Sequence, residues 1–217
     1  MSTFRFAIMG AGNIAHQFCD AVTLVEDCEV SAIASKDLGR AQKFAEECSV
    51  AHAYDNYEQM LIEEKPDCVY IAVTPNDHFR LTMLCLEHRV PVLCEKAMFT
   101  NSAEAKAVFE KAEKDQTFVM EAMWSRFLPA VNQAKKWAAE GKIGRLEALQ
   151  GRIGFLAPEG ADNRYHSPLL CGGAATDITV YAYEIATWLV NEPVRKTYAA
   201  ANLDQTGVDL TDQVTVK

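Results

Sequence analysis

Positive charge is scarce in this chain. Its 21 Lys and Arg stand against 30 Asp and Glu, a formal net charge of −9 over 217 residues. That balance excludes a surface built for nucleic acid or an anionic membrane, since both need clustered cations; a small-molecule partner is favoured. Long apolar runs are missing too, and no uncharged stretch approaches the roughly 20 residues that cross a bilayer. Met1-Ser2-Thr3-Phe4 leads straight into strand-like sequence without the basic and apolar regions of a secretory leader, so a cytoplasmic location is expected. No Cys-x-x-Cys pair occurs. The seven cysteines, Cys19, Cys28, Cys48, Cys68, Cys85, Cys94 and Cys171, form an odd set in mostly apolar segments and read as reduced core thiols. No metal is expected, and no internal repeat or low-complexity segment breaks the chain.

What is present is a chain 49% hydrophobic, enough for one large domain or two small ones. Phe4 to Ala15 organises it: an apolar run breaks at Gly10 and Gly12 and continues into a helical pattern through Asn13 and Ile14. Strand, tight turn and helix are expected, with glycines where the backbone turns and approaches a ligand and Ala15 where helix packs on strand. Free N–H groups and the positive helix end suit a pyrophosphate there. An ordinary strand-to-helix turn, or a site for another nucleotide, remains an alternative.

The pattern then alternates. Strands are expected at Glu29–Ala34, near Ala51–Tyr54, and at Cys68–Val73, Pro91–Cys94 and Phe118–Met120. Helices are expected at Asp37–Glu47, Tyr57–Ile62, from the Thr74–Asp77 turn through Leu86, and at Ser102–Lys114. About six strands alternating with helices make a doubly wound parallel α/β sheet. This first domain covers residues 1–122. From 123 to 217 the rhythm changes to an α+β domain: a helix over Leu128–Glu140, a long extended segment over Leu146–Phe155, an apolar helix over Ala174–Leu189, and strands at Val194–Ala201 and Asp212–Lys217. Val214-Thr215-Val216-Lys217 stops inside an alternating pattern, which would leave an unpaired edge. The chain is therefore expected to be a piece of a longer protein, or to gain strands from elsewhere.

The chain resembles the Gfo/Idh/MocA oxidoreductases, within them the branch of dimeric dihydrodiol dehydrogenase and glucose-fructose oxidoreductase. The resemblance rests on Gly10-Ala11-Gly12-Asn13-Ile14-Ala15, Thr74-Pro75-Asn76-Asp77-His78, Cys94-Glu95-Lys96, Met120 through Phe127, Gly141-Lys142-Ile143-Gly144, and Gly172 through Tyr181. It implies a Rossmann domain for NAD(P), then a substrate domain with an open, mainly antiparallel sheet, here incomplete, and a homo-oligomeric complete protein. It also implies proton transfer at the Tyr181 position. Where the family usually has Glu-Lys-Pro, this chain has Glu95-Lys96-Ala97, a change expected to loosen the turn while keeping the ammonium.

Several residues carry candidate chemistry. Lys96 follows an apolar strand at its carboxyl end, where open α/β sheets bind ligands; the bland alternative is a surface lysine. Glu95 orients cofactor or lysine, or is only a partner charge. Asp177 and Tyr181, four apart at a helix start, face one substrate, unless Asp177 caps the helix and Tyr181 is core. Thr74, Pro75, Asn76 and His78 are expected to line the dinucleotide, although capping by Asn76 or Asp77, with His78 simply satisfying a backbone group, explains them almost as well. Trp124 and Arg126 suit a sugar or diol, with domain packing as the alternative for Trp124. Ser35 and Lys36 stand where an acid would hold the ribose 2′-hydroxyl, with Arg40 one turn into the next helix to assist, so NADP is expected ahead of NAD; Asp37 reaching the ribose is the counter-reading. Oxidising an alcohol requires its proton to leave, and the expected acid/base pair is Lys96 with Tyr181, Asp177 orienting the substrate. The leading expectation is hydride transfer between NAD(P) and a hydroxyl-bearing carbon of a sugar, polyol or trans-diol. A non-catalytic dinucleotide sensor remains open, and an S-adenosylmethionine enzyme explains less because it leaves Lys96 and the second domain unused.

Overall fold

Apolar strands and capped helices alternate from the first residues of the computed structural model, which describes residues 3–158, 160 and 163–217. Met1 and Ser2, where the leader expectation begins, lie outside the described residues. The chain divides into two units, Met1–Ala122 and Met123–Lys217.

In the first unit β1 (Phe4–Met9), α1 (Asn13–Val22), β2 (Cys28–Ala34), α2 (Leu38–Cys48), β3 (His52–Tyr54) and α3 (Tyr57–Glu64) form one half. β4 (Cys68–Ile71), α4 (Pro75–Glu87), β5 (Val92–Cys94), α5 (Ser102–Asp115) and β6 (Val119–Glu121) form the other. The strands pair in parallel in the order β3-β2-β1-β4-β5-β6. Such a sheet is buried on both faces, which is why its strands are continuous apolar runs; Ala7, Ile8, Met9, Ile33, Val69, Ile71 and Val92 are fully buried. Side chains of Asp37, Asn56 and Asn101 accept the backbone N–H three residues on, so α2, α3 and α5 start where those residues stand. Strand order reverses between β1 and β4, and that switch point opens at the carboxyl ends of both strands.

The second unit has a 3₁₀ turn at Trp124–Phe127, α6 (Pro129–Ala139) and two further 3₁₀ turns at Arg164–His166 and Pro168–Leu170. A π-helical stretch, Ala175–Thr179, then runs into α7 (Val180–Val190), and β7 (Thr197–Leu203) pairs antiparallel with β8 (Asp209–Val216). Three expectations need correction. The helix expected from Ala174 opens with the wider π turn, so Asp177 sits in it rather than in a regular α-turn. The segment Leu146–Phe155 belongs to no strand among the described residues, because an alternating pattern makes a ladder only where a neighbouring edge exists. The last two strands are shifted to the register that pairs Thr197 with Val216 and Leu203 with Asp209.

Candidate dinucleotide and acid/base sites

At the switch point the two glycines have different reasons to be glycine. Gly10 has φ +109°, its N–H donates to the Ala34 carbonyl at 2.8 Å, and a Cβ on it would lie 2.7 Å from the Ala72 carbonyl oxygen. The fold itself forbids a side chain there. Gly12 precedes α1 with φ −106°, and a Cβ on it would meet nothing nearer than the Ala72 oxygen at 3.9 Å. Nothing in the protein demands that glycine. A ligand approaching the amino end of α1 would, and a pyrophosphate fits those donors. Asn13 and Ile14 are exposed beside it, whereas Ala15 is fully buried against the sheet.

Beyond β2, Ser35 is buried and its N–H donates to the Tyr54 carbonyl at 3.0 Å. Lys36 forms an ion pair with Asp77, whose other oxygen faces Arg80 at 3.4 Å. Burial raises Asp77, but Lys36 and Arg80 outweigh it and hold the carboxyl below its ordinary range. Arg40 reaches back to the glycine turn, donating to the Ala11 carbonyl at 3.3 Å. Asp37 is engaged as the cap of α2, accepting from Arg40 N–H at 2.8 Å.

Thr74, not Asn76 or Asp77, is the residue before α4, with Pro75 at the first helical position. Thr74 and Pro75 are half-buried and Asn76 is exposed. His78 takes the backbone-satisfying alternative: it is fully buried, its Nδ1 2.9 Å from the Ala97 carbonyl and its Nε2 3.0 Å from the Val73 carbonyl. It ties the turn after β4 to the turn after β5. Burial pushes this imidazole below the usual histidine range, against the pull of those carbonyls.

Lys96 is half-buried just past β5, and the Lys96–Ala97 peptide is cis. The turn expected to be loose is held: Ala97 by His78, and Met98 N–H by the Glu121 carboxylate at 2.9 Å. Glu95 is buried and accepts the Tyr70 hydroxyl at 2.6 Å. Burial raises its carboxyl above the ordinary range despite that bond and the Lys96 N–H. Glu95 thus has one oxygen on the Tyr70 hydroxyl and the other on the Lys96 N–H.

In the second unit the indole N–H of Trp124 donates to the Tyr181 hydroxyl at 2.9 Å, their rings meeting edge to face with centroids 5.9 Å apart. Asp177 accepts from Arg164 at 3.3 Å. Arg126 is anchored within the second unit: its Nε donates to the buried Glu184 and its guanidinium lies 4.6 Å over Trp188. Ser125 completes that network, donating to the other Glu184 oxygen at 3.0 Å. Among the described residues no cluster of three or more His, Cys, Asp or Glu is placed to hold a metal.

Residues 4–123 match the model of the Gfo/Idh/MocA oxidoreductase family, NAD-binding Rossmann fold, and residues 131–217 match the Gfo/Idh/MocA C-terminal domain. The chain belongs to the Gfo/Idh/MocA oxidoreductase family. Among the relatives of this family member, trans-1,2-dihydrobenzene-1,2-diol dehydrogenase of Mus musculus is 32% identical over 216 residues, covering 97% of this chain and 63% of that protein. The Homo sapiens protein of the same name is 30% identical over 218 residues, covering 98% and 63%. The chain therefore spans about 63% of the length of the curated relatives it matches. A solved 3-ketoreductase from Actinomadura kijaniata in complex with TDP-benzene and NADP shares the fold with TM-score 0.90 at 22% identity, covering 99% of this chain and 66% of that one. Scyllo-inositol dehydrogenase from Lactobacillus casei, with NAD(H) and scyllo-inositol, gives 0.79 at 14%, covering 100% and 66%.

Within this family member, Glu184, Glu121 and Arg164 carry contacts that the sequence reading did not single out. Glu184 had a signal, as the one charge inside the apolar helix Val180–Val190. Arg164 had none, since its pairing spans a loop without periodicity.

Proposed function

We propose that this chain is the dinucleotide-binding and substrate-binding part of an oxidoreductase that moves hydride between NAD(P) and a hydroxyl-bearing carbon of a sugar, polyol or trans-diol. One observation carries the reading: the sterically open Gly12 and the half-buried Lys96 stand at the carboxyl end of a single parallel sheet, astride its switch point. When bound, the nicotinamide accepts or supplies the hydride.

In this reading the chain's own residues manage the proton and the geometry. The amino end of α1 with Gly10, Gly12, Asn13 and Ile14 receives the pyrophosphate. Ser35, Lys36 and Arg40 receive a 2′-phosphate, which makes NADP the preferred cofactor. Thr74, Pro75 and Asn76 line the dinucleotide, while His78 and Glu95 hold the turns that present them and Lys96. Tyr181 takes the hydroxyl proton as the hydride leaves, Lys96 supplies positive charge to stabilise the phenolate, and Asp177 orients the substrate; Trp124 packs beside it. The dihydrodiol dehydrogenases among the relatives favour a trans-diol within the substrate class. The reading also carries a homo-oligomeric complete protein in the cytoplasm, with no nucleic-acid partner.

The test is absorbance at the reduced-nicotinamide band, with NADP and NAD in turn, against aldoses, polyols and trans-diols. Turnover with at least one substrate is expected. Dinucleotide binding without turnover on any of them overturns the reading in favour of a sensor.

A further inference from the structure

The 3₁₀ turn Arg164–His166 is held from several sides at once. Asn163 Oδ1 accepts from Tyr165 N–H at 3.1 Å, the Tyr165 ring meets Phe155 edge to face with centroids 5.3 Å apart, and His166 Nδ1 lies 2.9 Å from Asp204. Behind it stands Gly172. A Cβ there would fall 2.6 Å from the Tyr165 carbonyl oxygen and closer still to that of Arg164, so the turn and the glycine pair touch backbone to backbone. From Gly173, whose carbonyl accepts Asp177 N–H at 3.2 Å, the chain enters the π-helical stretch that carries Asp177.

The Arg164 side chain closes this loop. Its guanidinium lies 4.0 Å over the Tyr165 ring and donates from Nη2 to Asp177 Oδ1 at 3.3 Å. The carboxylate is largely buried, its side chain 12% exposed, and the guanidinium 43% exposed. An ion pair this open adds little to stability. A planar cation stacked on a fixed ring does, however, restrict where the carboxylate points, and a lysine cannot both stack and donate in that geometry. Asp177 also sits in the π-helical stretch Ala175–Thr179, a local irregularity of a kind frequent at functional sites.

We propose that Arg164 is a positioning residue that fixes the orientation of Asp177 toward the substrate. The inference rests on the role given to Asp177 above. Full-length wild type, Arg164→Met, Arg164→Lys, Asp177→Asn and the double variant Arg164→Met/Asp177→Asn are compared for kcat, KM, dinucleotide affinity and thermal midpoint. Arg164→Met is expected to lose about 10- to 100-fold in kcat/KM through misplacement, with dinucleotide affinity and midpoint unchanged. Added guanidinium ion should restore part of the loss and Arg164→Lys should retain part of the activity. In the Asp177→Asn background the Arg164 change should add nothing. Wild-type kinetics in Arg164→Met overturn the inference and leave the functional reading standing. So does a loss that follows the thermal midpoint without guanidinium rescue. A wild type that turns over no substrate overturns both.

Discussion

Trp124 Nε1 donates to the Tyr181 hydroxyl oxygen at 2.9 Å. Indole nitrogen is a donor only, so the phenol oxygen must accept, and its own hydrogen is left to point elsewhere. A fixed donor at that oxygen stabilises the negative charge that develops as a proton leaves. Trp124→Phe keeps an aromatic ring beside Tyr181 and removes the N–H. It is expected to lower kcat about 10- to 100-fold while changing dinucleotide affinity little. Steady-state kinetics with fluorescence titration check it, and an unchanged kcat would reduce the contact to packing.

The two glycines of the first turn should separate folding from binding. Gly10→Ala forces a left-handed residue and a clash with the Ala72 carbonyl, and is expected to cost about 3 kcal/mol or more. Gly12→Ala has room and an ordinary φ, so its thermal midpoint should stay near wild type. Its dinucleotide affinity should nevertheless fall at least about tenfold, because the added methyl stands where the pyrophosphate approaches. Unfolding scans and titrations on both variants distinguish the cases, and Gly12→Ala binding like wild type would remove the pyrophosphate from that turn.

The parallel sheet could be read from sequence because strands buried on both faces are uninterrupted apolar runs, as at Cys68–Ile71 and Val92–Cys94. Capping chemistry is local too, and Asp37 and Asn101 mark their helix starts. Long-range fit is not local. The π turn around Asp177 depends on Asp209, which accepts Ala175 N–H from 34 residues away and sits where a Gly173 side chain would go. The partner of Arg126 was hidden from the sequence because Glu184 is 58 residues on. A backbone-satisfying role for His78 was open from the sequence, but which carbonyls its two ring nitrogens face depends on the second turn at Ala97.

The proposed preference for NADP rests on Lys36, whose ammonium is paired with Asp77. Lys36→Ala is expected to weaken NADP about tenfold and leave NAD unchanged, since only the 2′-phosphate uses the extra charge. Asp77→Asn frees the ammonium from its partner and should tighten NADP several-fold, again with little effect on NAD. Titration of both dinucleotides against the two variants checks this. Tighter binding of NAD than NADP by the wild type would return the cofactor choice to NAD.

Stability at low pH should report the hairpin that closes β7 on β8. The Thr206 hydroxyl and then His166 hold Asp204 well down, at about 2 against an ordinary 3.8. A carboxyl whose folded value is depressed contributes stability that is present above the unfolded value and lost as pH falls through the folded one. Asp204→Asn should therefore be less stable than wild type near pH 6. The gap should close between about pH 4 and pH 2, the window set by those two values. Denaturant unfolding at several pH values checks it, and a gap independent of pH would assign the loss to something other than the charge.

The proton-transfer pair gives the most direct test of the chemistry. Removing hydride from a carbon that bears a hydroxyl leaves an oxygen that must shed its proton, and the proposed acceptor is Tyr181 with Lys96 as its charge partner. Lys96→Met and Tyr181→Phe are each expected to cut kcat at least about 10²-fold, the lower end for loss of a general acid or base. If the two act together, the double variant should be scarcely slower than either single one, because the first change already removes what the second residue contributes. Dinucleotide affinity should change much less than kcat in Tyr181→Phe, since the phenol acts on the substrate proton. Near-normal turnover in either single variant, or losses that multiply in the double variant, would move the proton transfer to another group.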